Sequence, residues 1–441
     1  MTAPTDAGRA LLLELYDAAV AAAAPGPATV SAVSALDIPR DRRVWVLSIG
    51  KAAHTMAHAA CTSLLDSRNS IFGGVVVSPT DALAPYPTLA AARGDHPIPS
   101  THSFAAAEKL GEVIAGRRAN DVAIVLISGG ASALMAAPLP GMSSADLIAL
   151  YELLLGAGLD IHATNAVRKR FSRWAAGRLA LALAPAATHC FAISDVSGDD
   201  LAAIGSGPCV PDPTLVQEVL SILEKADLLD RIPAAHREYL HGVARHRIPE
   251  TPRATHPAFA HVKARVIGNL ELALEGAADR ARSQVGHAEI ADGVLGGAAA
   301  VAGESVARTL LARRSADRSP RCFIWGGETT VDVGNTHASP SGGGRCQELA
   351  LAAARTLHDA GDDAEGIAIL AAGTDGRDGA TDAAGAIVDG STWRSIVAAG
   401  RDPAAALAAH ESFGALRAAN AIVPRRDTGT NVTDVVIGLL T

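Results

Sequence analysis

The sequence predicts an α/β fold in two domains. Short apolar runs at residues 44–49, 122–127 and 367–372 recur along the chain, each with a glycine within the next two residues. Alanine-rich stretches of helical period alternate with such runs. This β-turn-α rhythm indicates a parallel sheet covered on both faces. At 441 residues the chain exceeds one simple core, so two domains are expected.

The first segment, MTAPTDAGRALLLELYDAAVAAAAPGP, is interrupted by Asp6, Arg9, Glu14 and Asp17. It reads as an amphipathic helix ended by Pro25 rather than as a secretory leader. Residues 44–49 form a strand, and Gly50-Lys51 opens a helix through residue 65. Residues 73–77 are a second strand. The third, 122–127, runs into Ser128-Gly129-Gly130-Ala131-Ser132. Helices are expected over 143–156 and 166–183. Strand 190–194 ends in Asp195, with Gly198, Asp199 and Asp200 close behind. The stretch 231–262 breaks the rhythm with Pro233, Pro249, Pro252 and Pro257. The boundary is therefore placed near 250, giving domains 1–250 and 251–441. The second run comprises strand 264–268, helix 269–284, strand 288–290, helix 297–313 and strand 322–325. A glycine loop at 341–344, helix 345–360, strand 367–372 and a last strand 435–440 complete it.

Composition narrows the partners. Hydrophobic residues make up 49% of the chain but aromatics only 3%, so the core is alanine, leucine and valine. The net charge of −8 argues against nucleic acid or an anionic membrane as the main partner. A small anion needs only a local cationic pocket. No uninterrupted apolar stretch reaches membrane-spanning length. The five cysteines are scattered with no CxxC pair, which suits reduced thiols in a cytoplasmic protein. The histidines show no HExxH spacing, so no zinc site is expected.

The chemistry sits in glycine-bearing turns, most of them directly after strands, the edge where open α/β sheets bind ligands. Lys51 follows Gly50 where a strand becomes a helix, and both the charge and the helix N-terminus favour an anion. The other four lysines read as solvated. The turn of Ser128, Gly129, Gly130 and Ser132 offers N–H groups and hydroxyls to a phosphate or carboxylate. It is neither a Walker A loop nor a GxGxxG fingerprint. Asp195 directly follows its strand and could bind metal or cap the following helix. Asp199 and Asp200 could bind metal or cap a helix. Ser206-Gly207-Pro208 is a further anion-binding turn or a plain loop. Glu328 and Thr329 follow Gly326-Gly327, and Arg345 follows three glycines at a helix start, suiting bidentate anion binding. Asp375, Asp378 and Asp382 crowd a glycine-rich turn without EF-hand spacing. That cassette suits Mg²⁺ or a general base. Asn431 lies in a polar turn before the last strand. Cys346 has no base beside it in sequence and reads as a packed or cleft-lining thiol.

Taken in order, these segments resemble the glycerate 2-kinase family, also called MOFRL or GckA/TtuD-like. The matching segments are Ser-Ile-Gly-Lys-Ala-Ala (48–53), Asp-His-Pro-Ile-Pro (95–99) and Leu-Ile-Ser-Gly-Gly-Ala-Ser-Ala-Leu (126–134). Next come Asn165 to Lys169, Ser-Asp-Val-Ser-Gly-Asp-Asp (194–200) and Ser-Gly-Pro (206–208). The second half adds Gly-Gly-Glu-Thr-Thr-Val (326–331), Gly-Gly-Arg-Cys-Gln-Glu-Leu (343–349), Gly-Thr-Asp-Gly-Arg-Asp-Gly (373–379) and Thr-Gly-Thr-Asn-Val (428–432). Cys346 stands where the family usually carries asparagine.

The resemblance implies a larger Rossmann-like parallel-sheet domain and a smaller mixed-sheet α/β domain with a cleft between them. It implies an ATP- and Mg²⁺-dependent kinase acting on the 2-hydroxyl of D-glycerate, working as a monomer or homodimer. A related hydroxy acid such as a tetronate, or NAD(P)H-dependent reduction of hydroxypyruvate, is the alternative. Lys51, Arg345, Asp195 and Asp375 are the expected catalytic groups. Ser128, Gly129, Gly130, Ser132, Gly207, Glu328, Thr329 and Asn431 are expected around the nucleotide. Asp195, Glu328, Asp375 and Asp378 are the expected metal ligands.

Overall fold

The structure is a computed structural model that describes residues 6–316, 319–332 and 342–441. Ser341, the first residue of the expected glycine loop, lies outside them. The chain divides into two compact units. One comprises Pro25–Ile267, the other the N-terminal residues through Ala24 together with Gly268–Thr441.

The first unit is built on a sheet of order β3-β2-β1-β4-β5-β6. Its strands are β1 Arg43–Ile49, β2 Ser70–Ser78, β3 Leu89–Arg93, β4 Val122–Ile127, β5 Ala187–Ile193 and β6 Val262–Gly268. The pairs β3-β2, β2-β1, β1-β4 and β4-β5 are all parallel. Every residue of β4 is buried. A continuously apolar strand is what a sheet covered on both faces requires. Leu47, Val75, Val125 and Ala192 pack under Leu110, Ile114, Trp174 and Leu179. A second apolar cluster gathers Leu147, Leu150, Val167, Phe171, Val219 and Leu240.

The second unit carries a sheet of order β11-β10-β9-β12-β8-β7. Its strands are β7 Ala288–Ile290, β8 Arg321–Gly327, β9 Ile367–Gly373, β10 Ala383–Asp389, β11 Ile422–Pro424 and β12 Asp434–Leu440. β12 runs antiparallel to both β8 and β9, while β7 is parallel to β8. One parallel-based sheet and one mixed sheet match the expected fold class.

Four sequence expectations change. The first domain does not begin at residue 1. Helix Asp6–Ala22 buries Leu12, Leu15, Tyr16 and Ala19 and belongs with Gly268–Thr441. Gly276 of helix Leu270–Val285 lies so close that a Cβ there would meet Ala22 Cβ at 2.4 Å. Pro25 begins a helix, Pro25–Ser34, since proline fits the first helical position. The proline-rich stretch near 250 is no linker. Glu250 accepts from Val216 N at 3.0 Å and pairs with the buried Arg170, so the unit extends to Ile267. The helix expected over 166–183 is broken into Ile161–Arg168, a 3-10 turn at Lys169–Phe171 and Arg178–Leu183. The break serves Ser206-Gly207, because Ala176 N and Gly177 N donate to their carbonyls at 2.8 and 2.7 Å.

Candidate active site

In the first unit the strand order reverses between β1 and β4, the switch point where open α/β sheets place ligands. Lys51 follows β1 there, and its backbone N donates to Gly129 O at 2.9 Å. Gly50 has φ +134°, and a Cβ on it would sit 2.1 Å from Ser128 Oγ. Only glycine lets these two turns touch. Ser128 Oγ accepts from Ala52 N at 3.0 Å, so this hydroxyl splints the turns together. The Lys51 side chain is exposed.

Gly129 and Gly130 carry the acidic and imidazole neighbours. A Cβ on Gly129 would meet Asp195 Oδ2 at 2.5 Å, and one on Gly130 would meet the His96 ring at 3.2 Å. Burial raises the Asp195 carboxyl above its ordinary range, and the charge of Lys51 opposes this. Partial burial, then the charges of Lys51 and Arg168, push His96 down to about 4. Ser132 Oγ lies 2.7 Å from Ser206 Oγ, beside Gly207 in the left-handed region with φ +60°. The structure thus brings Lys51, Ser128, Gly129, Gly130, Ser132, Asp195 and Gly207 together. Asp200 closes a local turn, its Oδ1 accepting from Ala202 N at 2.9 Å. Lys169, read as solvated, is buried and pairs with Asp212 at 2.7 Å.

In the second unit the antiparallel register gathers three strand termini. Asp434, first residue of β12, stands opposite Gly327 of β8 and Gly373 of β9. Glu328 and Asp375 emerge just beyond those glycines. Arg345 opens helix Arg345–Asp359. Its Nη2 donates to Asp434 Oδ1 at 2.9 Å, its Nε donates to Oδ2, and its Nη1 lies 2.8 Å from Glu328 Oε1. Burial works against the guanidinium's charge, but Asp434 and Glu328 outweigh it and hold Arg345 firmly charged.

Asp375 Oδ1 accepts from Arg377 N at 3.0 Å. The turn it occupies is fixed by Thr374, whose Oγ1 donates to Thr433 O at 2.6 Å and accepts from Val432 N at 2.9 Å. Asn431 sits in the same polar loop, accepting from Thr433 N at 3.4 Å. Thr329 is buried beside the exposed Glu328.

Asp378, expected as a metal ligand, does something else. Its Oδ1 accepts from Cys346 N at 3.1 Å, and its Oδ2 accepts from Gln347 N at 2.8 Å and Gln347 Nε2 at 2.9 Å. Those amides are orphan donors of the helix start, so Asp378 caps that helix from a distant loop. Burial pushes its carboxyl up to about 6 against these bonds, with Asp434 adding to the rise. Asp382 is exposed. The Cys346 thiol is buried and pushed well up by burial and by the Asp434 and Asp378 carboxylates, so it is no nucleophile at neutral pH. Among the described residues no three His, Cys, Asp or Glu side chains form a metal-binding group.

Sequence reasoning missed Asp434 as a site residue, along with His96 and Arg168. Asp434 begins a strand, whereas the glycine turns legible in the sequence follow strand ends. His96 and Arg168 stood in matched segments but carried no role.

Glycine turns presenting lysine, arginine and carboxylates at the sheet edges define an α/β enzyme that handles small anions. The chain belongs to the glycerate 2-kinase family. Residues 11–241 match a domain of unknown function (DUF4147), and residues 321–434 match the MOFRL family. It is 34% identical to a D-glycerate 2-kinase of Thermotoga maritima over 98% of both chains. It is 35% identical to a putative hydroxypyruvate reductase of Agrobacterium vitis over 97% of this chain and 93% of that one. The crystal structure of a glycerate kinase from Thermotoga maritima superposes with a TM-score of 0.86 at 33% identity, covering 99% of this chain and all of that one. Among the described residues no helix is long and apolar enough to cross a membrane.

Proposed function

We propose that this enzyme transfers the terminal phosphoryl of ATP to the 2-hydroxyl of D-glycerate, giving 2-phosphoglycerate and ADP. The observation that carries the reading is Lys51 on the Gly129 turn at the sheet's switch point, in a chain whose relatives include a D-glycerate 2-kinase. Phosphoryl transfer needs charge neutralisation, alignment and a base near the attacking hydroxyl. Lys51 supplies the first, as a point charge on the anionic reactants. The N–H groups and hydroxyls of the 128–132 turn and Gly207 support phosphate oxygens. Arg345 supplies a second cation, oriented by Asp434. Asp195, whose raised carboxyl sits beside Lys51, suits proton acceptance from the 2-hydroxyl. Asp375 is the acidic candidate of the second unit.

Mg²⁺ favours one or two carboxylates plus substrate phosphates. Within the first unit Asp195 is the residue that fits such an ion and within the second Asp375; a bound ion would neutralise phosphate charge. Asp378 does not fit. Buried, reduced thiols at all five cysteines favour the cytoplasm.

The test incubates purified protein with ATP, Mg²⁺ and a panel of D-glycerate and related hydroxy acids, tetronates included, and follows ADP release. NAD(P)H oxidation with hydroxypyruvate runs in parallel. ADP release with D-glycerate is expected. Absence of ADP with every acid, or brisk NAD(P)H oxidation, overturns the reading.

A further inference from the structure

Arg168 ends helix Ile161–Arg168 in the first unit. Its Nη2 donates to Asn165 Oδ1 at 2.6 Å, and its guanidinium lies 5.1 Å from the centre of the Tyr151 ring. Tyr151 is anchored in turn, its hydroxyl donating to Ser132 O at 3.3 Å. The next two residues, Lys169 and Arg170, are buried against Asp212 and Glu250. Arg168 is different. Its Nε is buried without a hydrogen-bond acceptor, and among the described residues no carboxylate pairs with it.

Burial first, then the charges of Lys51 and Arg168, lower the His96 imidazole. The His96 ring rests on Gly130. Lys51 and the His96 ring thus meet the Gly129-Gly130 turn directly, and Arg168 is tied to it through Tyr151 and Ser132. A guanidinium whose Nε–H is buried and unmet is costly unless an acceptor completes it. A planar fork stacked on an aromatic ring suits a planar carboxylate better than a point charge does.

We propose that Arg168, with His96 as a hydrogen-bonding partner, binds the carboxylate of the hydroxy-acid substrate and sets the preference for acids. The assignment rests on the kinase reading above. Lys51 is thereby left for the phosphoryl group.

The test compares wild type with R168Q, R168K and H96Q. Three quantities are read: KM for D-glycerate, KM for ATP, and kcat/KM for D-glycerate over its uncharged amide, D-glyceramide. Losing a charge-assisted contact should raise the glycerate KM about 10- to 100-fold in R168Q. The ATP KM should stay within about twofold, since the lost contact touches only the acid. The preference for acid over amide should collapse, which a merely structural role would not cause. H96Q should show a smaller rise of the same pattern. R168K keeps the charge but loses the fork, so it should raise the glycerate KM even if R168Q does not fold. An unchanged glycerate KM in R168K, an equal rise in the ATP KM, or a preserved acid preference overturns the assignment. Wild-type turnover is measured first. Its absence sinks the kinase reading and this assignment with it, whereas turnover with unaltered variants sinks only the assignment.

Discussion

Asp434 holds Arg345 edge-on, one carboxylate oxygen on Nε and the other on Nη2, in a carboxylate that is itself buried. The pair joins the first residue of β12 to the first residue of a helix 89 positions earlier in sequence. A bidentate contact fixes the plane of the guanidinium as well as its place. Nη1 is then left for Glu328 at 2.8 Å, on the exposed side of the group.

Asp434→Asn should therefore cost stability and turnover together. Losing a charged, bidentate bond costs about 1.5–3 kcal/mol. Urea unfolding should show a loss of that order, and kcat should fall at least about tenfold as the guanidinium loses its orientation. Wild-type values of both would mean that Asp434 does not position Arg345.

Lys51→Ala and Arg345→Ala should remain folded and lose about 100-fold or more in kcat/KM, the scale for removing a preorganised charge from a transition state. Steady-state kinetics with ATP and D-glycerate checks this. Near-wild-type turnover in either variant removes that residue from the catalytic set.

Gly50→Ala tests the contact between the β1 and β4 turns. The new methyl would meet Ser128 Oγ at 2.1 Å and Ser128 O at 2.5 Å, on a backbone at φ +134°. The strain alone is about 1–3 kcal/mol, and the clash adds to it. A lowered Tm with loss of activity is expected. Gly198→Ala is the control for positive φ in open space, since no atom lies within 4 Å of its Cβ position. Equal effects from the two would show that the packing at Gly50 is unimportant.

Asp378 carries a pH signature. Its folded carboxyl titrates at about 6, above the ordinary value of 3.8. The folded state then binds the proton more tightly than the unfolded chain. Its contribution to stability is full below about 3.8 and is lost as pH rises through about 6. The unfolding free energy of wild type minus that of Asp378→Asn should decline across this window. The variant should also keep the wild-type dependence of activity on Mg²⁺ concentration. A flat difference would mean that the carboxyl is not raised, and a changed Mg²⁺ dependence would restore Asp378 as a ligand.

The apolar strands were readable because burial on both faces leaves a continuous signal. β4 matched the expected residues 122–127, and β1, β9 and β12 matched to within a residue at each end. Three strands carried no such signal. β3 is Leu-Ala-Ala-Ala-Arg, β10 begins Ala-Ala-Gly-Ala, and β11 has three residues. Alanine and glycine are poor strand formers, and these segments are extended because a neighbour pairs with them. At Gly385 the backbone of β9 comes so close that a Cβ would sit 1.9 Å from Ala371 O. In the aspartate cassette, spacing alone could not sort three carboxylates. Asp375 stayed at the strand end, Asp378 turned inward to cap a helix, and Asp382 faces solvent.

The sequence alone determined the α/β class, the apolar strands, the glycine turns and the family, because each leaves a local or collinear pattern. The tertiary structure decided that the first helix belongs with the second unit, that Asp434 orients Arg345, that Asp378 is a cap, and that Tyr151 ties Arg168 to the glycine turn on which His96 rests. Each of these depends on residues far apart in sequence meeting across a sheet edge or a helix end. Antiparallel pairing brings the start of one strand to the ends of two others, and no local pattern records that.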